Sequence, residues 1–109
     1  RVHPMVNYQN QYIPQGTTTN RIQRSILIAG KEKGWHMRQI KPGLIHGWID
    51  VRGHYAAVNI TYSRTSYSII HDSSYRLMAQ DGKIHRNYNK WVAHLNRKIQ
   101  SHLRAKFTP

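Results

Sequence analysis

Acid/base or metal chemistry in this chain would have to come from eight histidines, His3, His36, His46, His54, His71, His85, His94 and His102, and four acids, Glu32, Asp50, Asp72 and Asp81. Hydrolytic and general acid/base catalysis needs convergent groups, either a carboxylate pair or a nucleophile beside a positioned base. The four acids fall in what reads as a helix, a hairpin, a strand end and a turn, so no pair is expected. No serine sits in a GxSxG elbow. There is no HExxH and no HxH, and the absence of cysteine removes thiolate ligands and thiol nucleophiles. His94 and His102 are too far apart along one helix to share a metal. The sequence thus points to no catalytic residue, no metal and no cofactor, and to histidines that serve as surface side chains. The lack of cysteine is compatible with a reducing or an oxidising compartment.

Charge is the stronger signal. Seventeen Lys and Arg face four acids, a formal net charge of +13 on 109 residues. Self-repulsion on that scale works against the compact state, so it points to a polyanionic partner or surface. Protonation of the eight histidines would add to the +13, and attraction to anions should grow as pH falls through about 6.5. Arg86, Lys90, Arg97 and Arg104 fall within about 40° of one another at ~100° per residue, on a stripe ~27 Å long. A merely solvated helix face normally interleaves Glu with Lys and Arg. The helix carrying this stripe has no acid, which makes the stripe a candidate anion-binding surface.

The elements that must position these groups follow from periodicity. Residues 1–17 hold Pro4, Pro14, Gly16 and a run of Asn and Gln with no helical or strand period, and read as an extended tether. From Thr19 or Asn20, Ile22, Ile26, Leu27 and Ala29 recur at helical spacing until Gly34, which predicts a helix over roughly 20–33. The period then changes to two. Ile45, Gly47, Ile49 and Val51, then Ala56, Val58, Ile60 and Tyr62, alternate with more polar residues. A two-residue turn at Arg52 and Gly53 pairs Val51 with His54, Ile49 with Ala56, Gly47 with Val58 and Ile45 with Ile60, and puts every apolar side chain on one face. A loop over 63–66 sets Tyr62 against Tyr67 and Ile60 against Ile69, giving a fourth strand over about 66–72. At Pro42 and Gly43 a two-residue turn would bury Ile40, whereas a three-residue loop would bury Trp35 and Met37. The longer loop is favoured because it buries the larger side chains. A last helix begins near Asn87 as N-cap, with Tyr88, Trp91, Val92, Leu95, Ile99 and Leu103 as its apolar face and Pro109 beyond its end.

The predicted architecture is α+β: a helix, a four-stranded antiparallel meander and a helix, in a two-layer sandwich with both helices on one sheet face. Residues 18–109 form one compact domain behind the tether of residues 1–17. The opposite sheet face is left open. It would carry His46, Trp48, Asp50, Tyr55, Asn59, Ser68 and Ile70, a mixed aromatic and polar surface suited to docking a partner. Ordinary cross-strand packing on a solvated face is the alternative reading of Trp48 and Tyr55. No apolar run approaches the ~20 residues needed to span a bilayer. The sequence begins at Arg1 rather than methionine, so any membrane address is expected upstream of it.

The pair Gly34 and Trp35, the PGLI of 42–45, the hairpin VRGHYAAVNITYS of 51–63, the YSI of 67–69 and the IHRNYNKWV of 84–92 together resemble a family of uncharacterised small periplasmic lipoproteins of proteobacteria. The match spans about residues 25–103. The resemblance implies a signal peptide ending in a lipidated cysteine upstream of Arg1, a short tether, and a periplasmic domain anchored to the outer membrane. It implies no enzymatic activity. Members of such families can serve as accessory subunits of envelope-spanning machines such as secretion systems.

Two function classes remain. One is a non-enzymatic envelope protein that docks onto protein partners through its sheet while its basic helix faces anionic lipid or glycan. The other is a small basic nucleic-acid-binding protein, for which a pI near 10.7 is the usual footprint. A GXXG clamp or an RNP-type aromatic motif would mark the second class, and neither is present.

Overall fold

A computed structural model describes residues 1–105 of the chain. Pro109 and the last residues of the expected 18–109 domain lie outside the described residues.

The turn at Arg52 and Gly53 sets the register of the sheet. Both residues have positive φ, 55° and 82°, the conformation that lets a two-residue turn follow the twist of its strands. Asp50 Oδ1 accepts the Gly53 amide at 2.9 Å and closes the turn. On either side run β4 (Leu44–Val51) and β5 (His54–Tyr62), paired Val51 to His54, Ile49 to Ala56, Gly47 to Val58 and Ile45 to Ile60, as the alternation requires. The next strand, β6 (Ser66–Tyr75), pairs Tyr67 with Tyr62 and Ile69 with Ile60. It runs three residues past the expected end. Ser73 stands opposite Ala57 and His71 opposite Val58, so Asp72 is an extra residue at a bulge.

On the other side of β4 lies β3 (His36–Lys41), with Met37 opposite Gly47 and Gln39 opposite Ile45. Lys41 pairs with Leu44 around Pro42 and Gly43, and the odd residue is taken up as a bulge at Ile40. The outcome is the burial expected of the longer loop: Trp35 is buried, Met37 packs against the core and Ile40 is 47% exposed.

The first helix, α1 (Thr19–Glu32), begins one residue earlier than expected. Thr18 is its N-cap, and its hydroxyl accepts the Arg21 amide at 3.1 Å. The last helix, α2 (Arg86–Arg104), is capped by His85 rather than Asn87, with His85 Nδ1 accepting the Asn87 amide at 3.1 Å. Ile22, Ile26 and Ala29 of α1 share one core with Tyr88, Val92, Leu95, Ile99 and Leu103 of α2 and with Ile45, Ile49, Ala56, Val58, Ile60, Tyr67 and Ile69 of the sheet.

Residues 1–17, read from the sequence as an extended tether, hold two strands and a turn at Gln15 and Gly16, and they are bound into the fold. The first strand, β1 (Val2–Pro4), pairs with β7 (Lys83–His85) in a small two-stranded sheet. The second, β2 (Tyr8–Tyr12), pairs with the outer edge of β6, Tyr8 opposite Ile69 and Tyr12 opposite Ser66. Ile13 is 2% exposed. The main sheet therefore has five antiparallel strands in the order β2-β6-β5-β4-β3, not the four of the expected meander, because the N-terminal segment adds β2 at its edge. Asn89 fastens the segment to α2, accepting from the Val6 amide at 3.0 Å and donating to Pro4 O at 2.9 Å.

Candidate functional site

Alternation along β3, β4, β5 and β6 sends one set of side chains away from the core. Across neighbouring strands they fall into rows: Arg38, His46, Asn59 and Ile70 in one, His36, Trp48, Ala57 and Ser73 in the next, Asp50, Tyr55 and Tyr75 in the third. His36 stacks on Trp48 with centroids 4.0 Å apart and planes 20° apart, and Trp48 lies 6.1 Å from Tyr55. Tyr75, opposite Tyr55, is 62% exposed, with the Arg76 guanidinium 5.6 Å from its ring centre. Ala57 supplies a small, fully buried side chain beside the Trp48 ring. Aromatic contacts of this kind contribute about 0.5 to 1.5 kcal/mol each beyond the area they bury.

Beside the rings runs a polar row. His46 Nδ1 lies 3.2 Å from Asn59 Oδ1, and Asn59 Nδ2 donates to Asp72 Oδ1 at 3.2 Å. With Asn59 Oδ1 as the acceptor, His46 carries its proton on Nδ1.

Of the residues expected on the open face, His46, Trp48, Tyr55, Asn59 and Ile70 are brought together there. Two have other work. Asp50 closes the Arg52 and Gly53 turn, and Ser68 Oγ accepts the Asn10 amide at 2.9 Å, tying β2 to β6. Comparison with protein-family models, curated proteins and solved structures finds no match to this chain. The face must be read from its own residues. His36, Arg38, Asp72 and Tyr75 also belong to it. The favoured loop at Gly43 implied His36 and Arg38, since burying Met37 turns its neighbours outward. The bulge at Asp72 hid Tyr75 by changing the parity of the strand.

The helices carry the second candidate surface. Arg86, Lys90, Arg97 and Arg104 are all exposed on α2, and Arg24 and Lys31 are exposed on α1. Glu32 is the acid among them, and it is occupied: His102 Nε2 is 2.6 Å from Glu32 Oε1 and Lys98 Nζ is 3.9 Å away. The hydrogen bond from His102 holds the Glu32 carboxyl below its usual range against a smaller opposing effect of desolvation, helped by the His102, Lys98 and Lys33 charges. Desolvation, followed by the Arg97, Lys33 and Lys90 charges, holds His94 below the usual imidazole range. Lys33, the residue after α1, and cations of α2 thus act on both groups. No helix among the described residues is long and apolar enough to cross a membrane. Among those residues no three His, Asp or Glu side chains gather where they could hold a metal.

Proposed function

We propose that this chain is a non-catalytic docking component of a bacterial cell envelope. In this reading it is a periplasmic domain, held to the outer membrane by a lipidated cysteine upstream of Arg1, and it serves as an accessory subunit of an envelope-spanning complex such as a secretion system. Both helices cover one face of the sheet, and the other face stays open for an envelope protein. The observation that carries the reading is the division of the surface. The ring row of His36, Trp48, Tyr55 and Tyr75 projects from the sheet side, whereas the exposed cations of α1 and α2 belong to the helix side. A domain divided this way can rest on anionic lipid or glycan through its helices and still present aromatic anchors to a protein.

The nucleic-acid reading has one observation in its favour. A row of flat rings flanked by Arg38 and Arg76 is also what stacks the bases of a single strand. Photocrosslinking in intact bacteria, with probes at Trp48 and Tyr55 and others at Lys90 and Arg97, separates the two. Capture of specific envelope proteins at the sheet positions supports the docking role. Capture of nucleic acid there transfers the assignment to the second reading, and capture at the helix positions alone removes the sheet from the proposal.

A further inference from the structure

A cavity of about 1040 Å³ lies where the start of α1, the loop before it and the last turn of α2 meet. Arg21, Arg24 and Arg104 line its wall, and among the described residues no carboxylate does. The first turn of α1 contains no acid, so the positive end of its dipole meets only the neutral Thr18 cap and no opposing charge on the helix. Arg21 is held in place by its bonds to His102 O and Ala105 O, which fix the end of α2 against α1. Arg24 and Arg104 form no ion pair among the described residues.

The rest of the wall is mixed: Gln15, Thr17, Thr18, Asn20, Ser25 and His102 are polar, and Pro14, Ile28 and Leu103 are apolar. Ile28 is left 43% exposed on α1, and it lines the cavity together with Leu103 and Pro14. The volume is at the upper end of that of small-molecule sites, far more than a phosphate ion fills. A free phosphate would satisfy the arginines and leave Ile28 wet. A molecule with a phosphate head and a hydrocarbon stem pairs with the arginines and also covers Ile28.

We infer that this cavity binds a lipid phosphate, its head between Arg24 and Arg104 beside the start of α1 and its acyl stem along Ile28, Leu103 and Pro14. The inference rests on the envelope reading for the source of the lipid, and on the chemistry of the cavity for the site itself.

The test is titration of the full chain with dihexanoyl phosphatidic acid below its micelle concentration, with inorganic phosphate and dihexanoyl phosphatidylcholine beside it. Heats of binding and amide NMR shifts at Thr19, Asn20 and Ile28 are recorded. Phosphatidic acid should bind saturably and move those amides, phosphate should move the first two more weakly, and the zwitterionic lipid should bind least. Arg24→Glu should weaken the lipid at least about tenfold, since a charge-assisted contact is replaced by repulsion. Ile28→Asp should weaken the lipid and leave phosphate unaffected or nearly so. Both positions are exposed, so the variants should fold, which their melting curves check. Absence of saturable binding overturns the inference, as does phosphate binding as tightly as the lipid or indifference of the lipid to both substitutions. Lys90→Glu with Arg97→Glu lies outside the cavity and should leave soluble-lipid binding intact. Loss of the cavity site with vesicle binding retained would sink this inference alone, and loss of vesicle binding with the cavity site retained would sink only the surface role of α2.

Discussion

His71 points into the interior from β6 and meets Tyr88 of α2 edge to face, ring centres 5.3 Å apart. His71 Nε2 and Tyr88 Oη are both buried without a hydrogen-bond partner among the described residues. Burial pushes the Tyr88 hydroxyl well above its usual range, and burial holds the His71 imidazole below its own, against a smaller opposing pull from Asp72. The folded pKa of His71 therefore lies under the unfolded one, and between the two the unfolded chain takes up the proton that the folded chain refuses. Stability is full above about pH 6.5 and declines as pH falls through that region. Urea midpoints measured between about pH 7.5 and 5.5 should drop for the native sequence and drop less for His71→Gln. An equal drop in both would assign the effect elsewhere. Glu32 acts in the same direction at lower pH: its contribution is lost only as pH falls through its lowered carboxyl pKa, below 4.5. The two effects are therefore separable.

Between α1 and the sheet, one flexible side chain determines how closely the elements approach. The Met37 thioether fills the space over Gly30 of α1 and also over Gly47 of β4, where an added Cβ would lie 2.8 Å from its sulfur. Alanine at position 30 is favoured by helix propensity by about 1 kcal/mol, but in the native background it must displace Met37 at a cost of about 1 to 3 kcal/mol. Gly30→Ala should therefore destabilise the protein, and the same change made together with Met37→Ala should be neutral or stabilising. A penalty of equal size in both backgrounds, read from denaturation curves, would show that Met37 is not the obstacle. The sheet's central register was legible because Arg52 and Gly53 turn the chain in two residues, and a one-residue slip would turn Ile45, Ile49 and Ile60 outward. The N-terminal strands were not. The polar β2 edge has no alternation to reveal it, and its partner Ile69 is about sixty residues away in sequence. The ring row was half legible: Trp48 and Tyr55 followed from the hairpin, whereas Tyr75 lay beyond a bulge that no local pattern announces. His85 escaped as a cap because imidazole is an uncommon acceptor at a helix start.

Across the whole molecule the cations are unevenly placed. The helices contribute Arg21, Arg24, Lys31, Arg86, Lys90, Arg97, Lys98 and Arg104, and the single acid among them, Glu32, is already engaged by His102 and Lys98. The remaining acids lie on the outer sheet side, where Arg38 and Arg76 offset them, or in the 81–82 turn, so the net charge of +13 is densest on the helices without being confined to them. Exposed charges are screened over ~8 to 10 Å at physiological ionic strength, so attraction through this layer must weaken steeply with salt. Each exposed cation near an anionic bilayer contributes about 1 kcal/mol, so reversing Lys90 and Arg97 to Glu should lower vesicle affinity by at least about tenfold. The protein should stay folded, because both side chains point away from the core. Co-sedimentation with anionic and neutral vesicles at low and high salt, run beside duplex and single-stranded oligonucleotides, reads the outcome. Preference for anionic vesicles that is lost in the double variant supports the envelope role. Tight, saturable oligonucleotide binding with indifference to vesicles would move the protein to the nucleic-acid class, with base stacking on Trp48 and Tyr55 as the next point to test. Unchanged binding of the double variant to every anion would reduce the α2 stripe to a solvated helix face and leave the arginines of the α1 cavity as the remaining anion site.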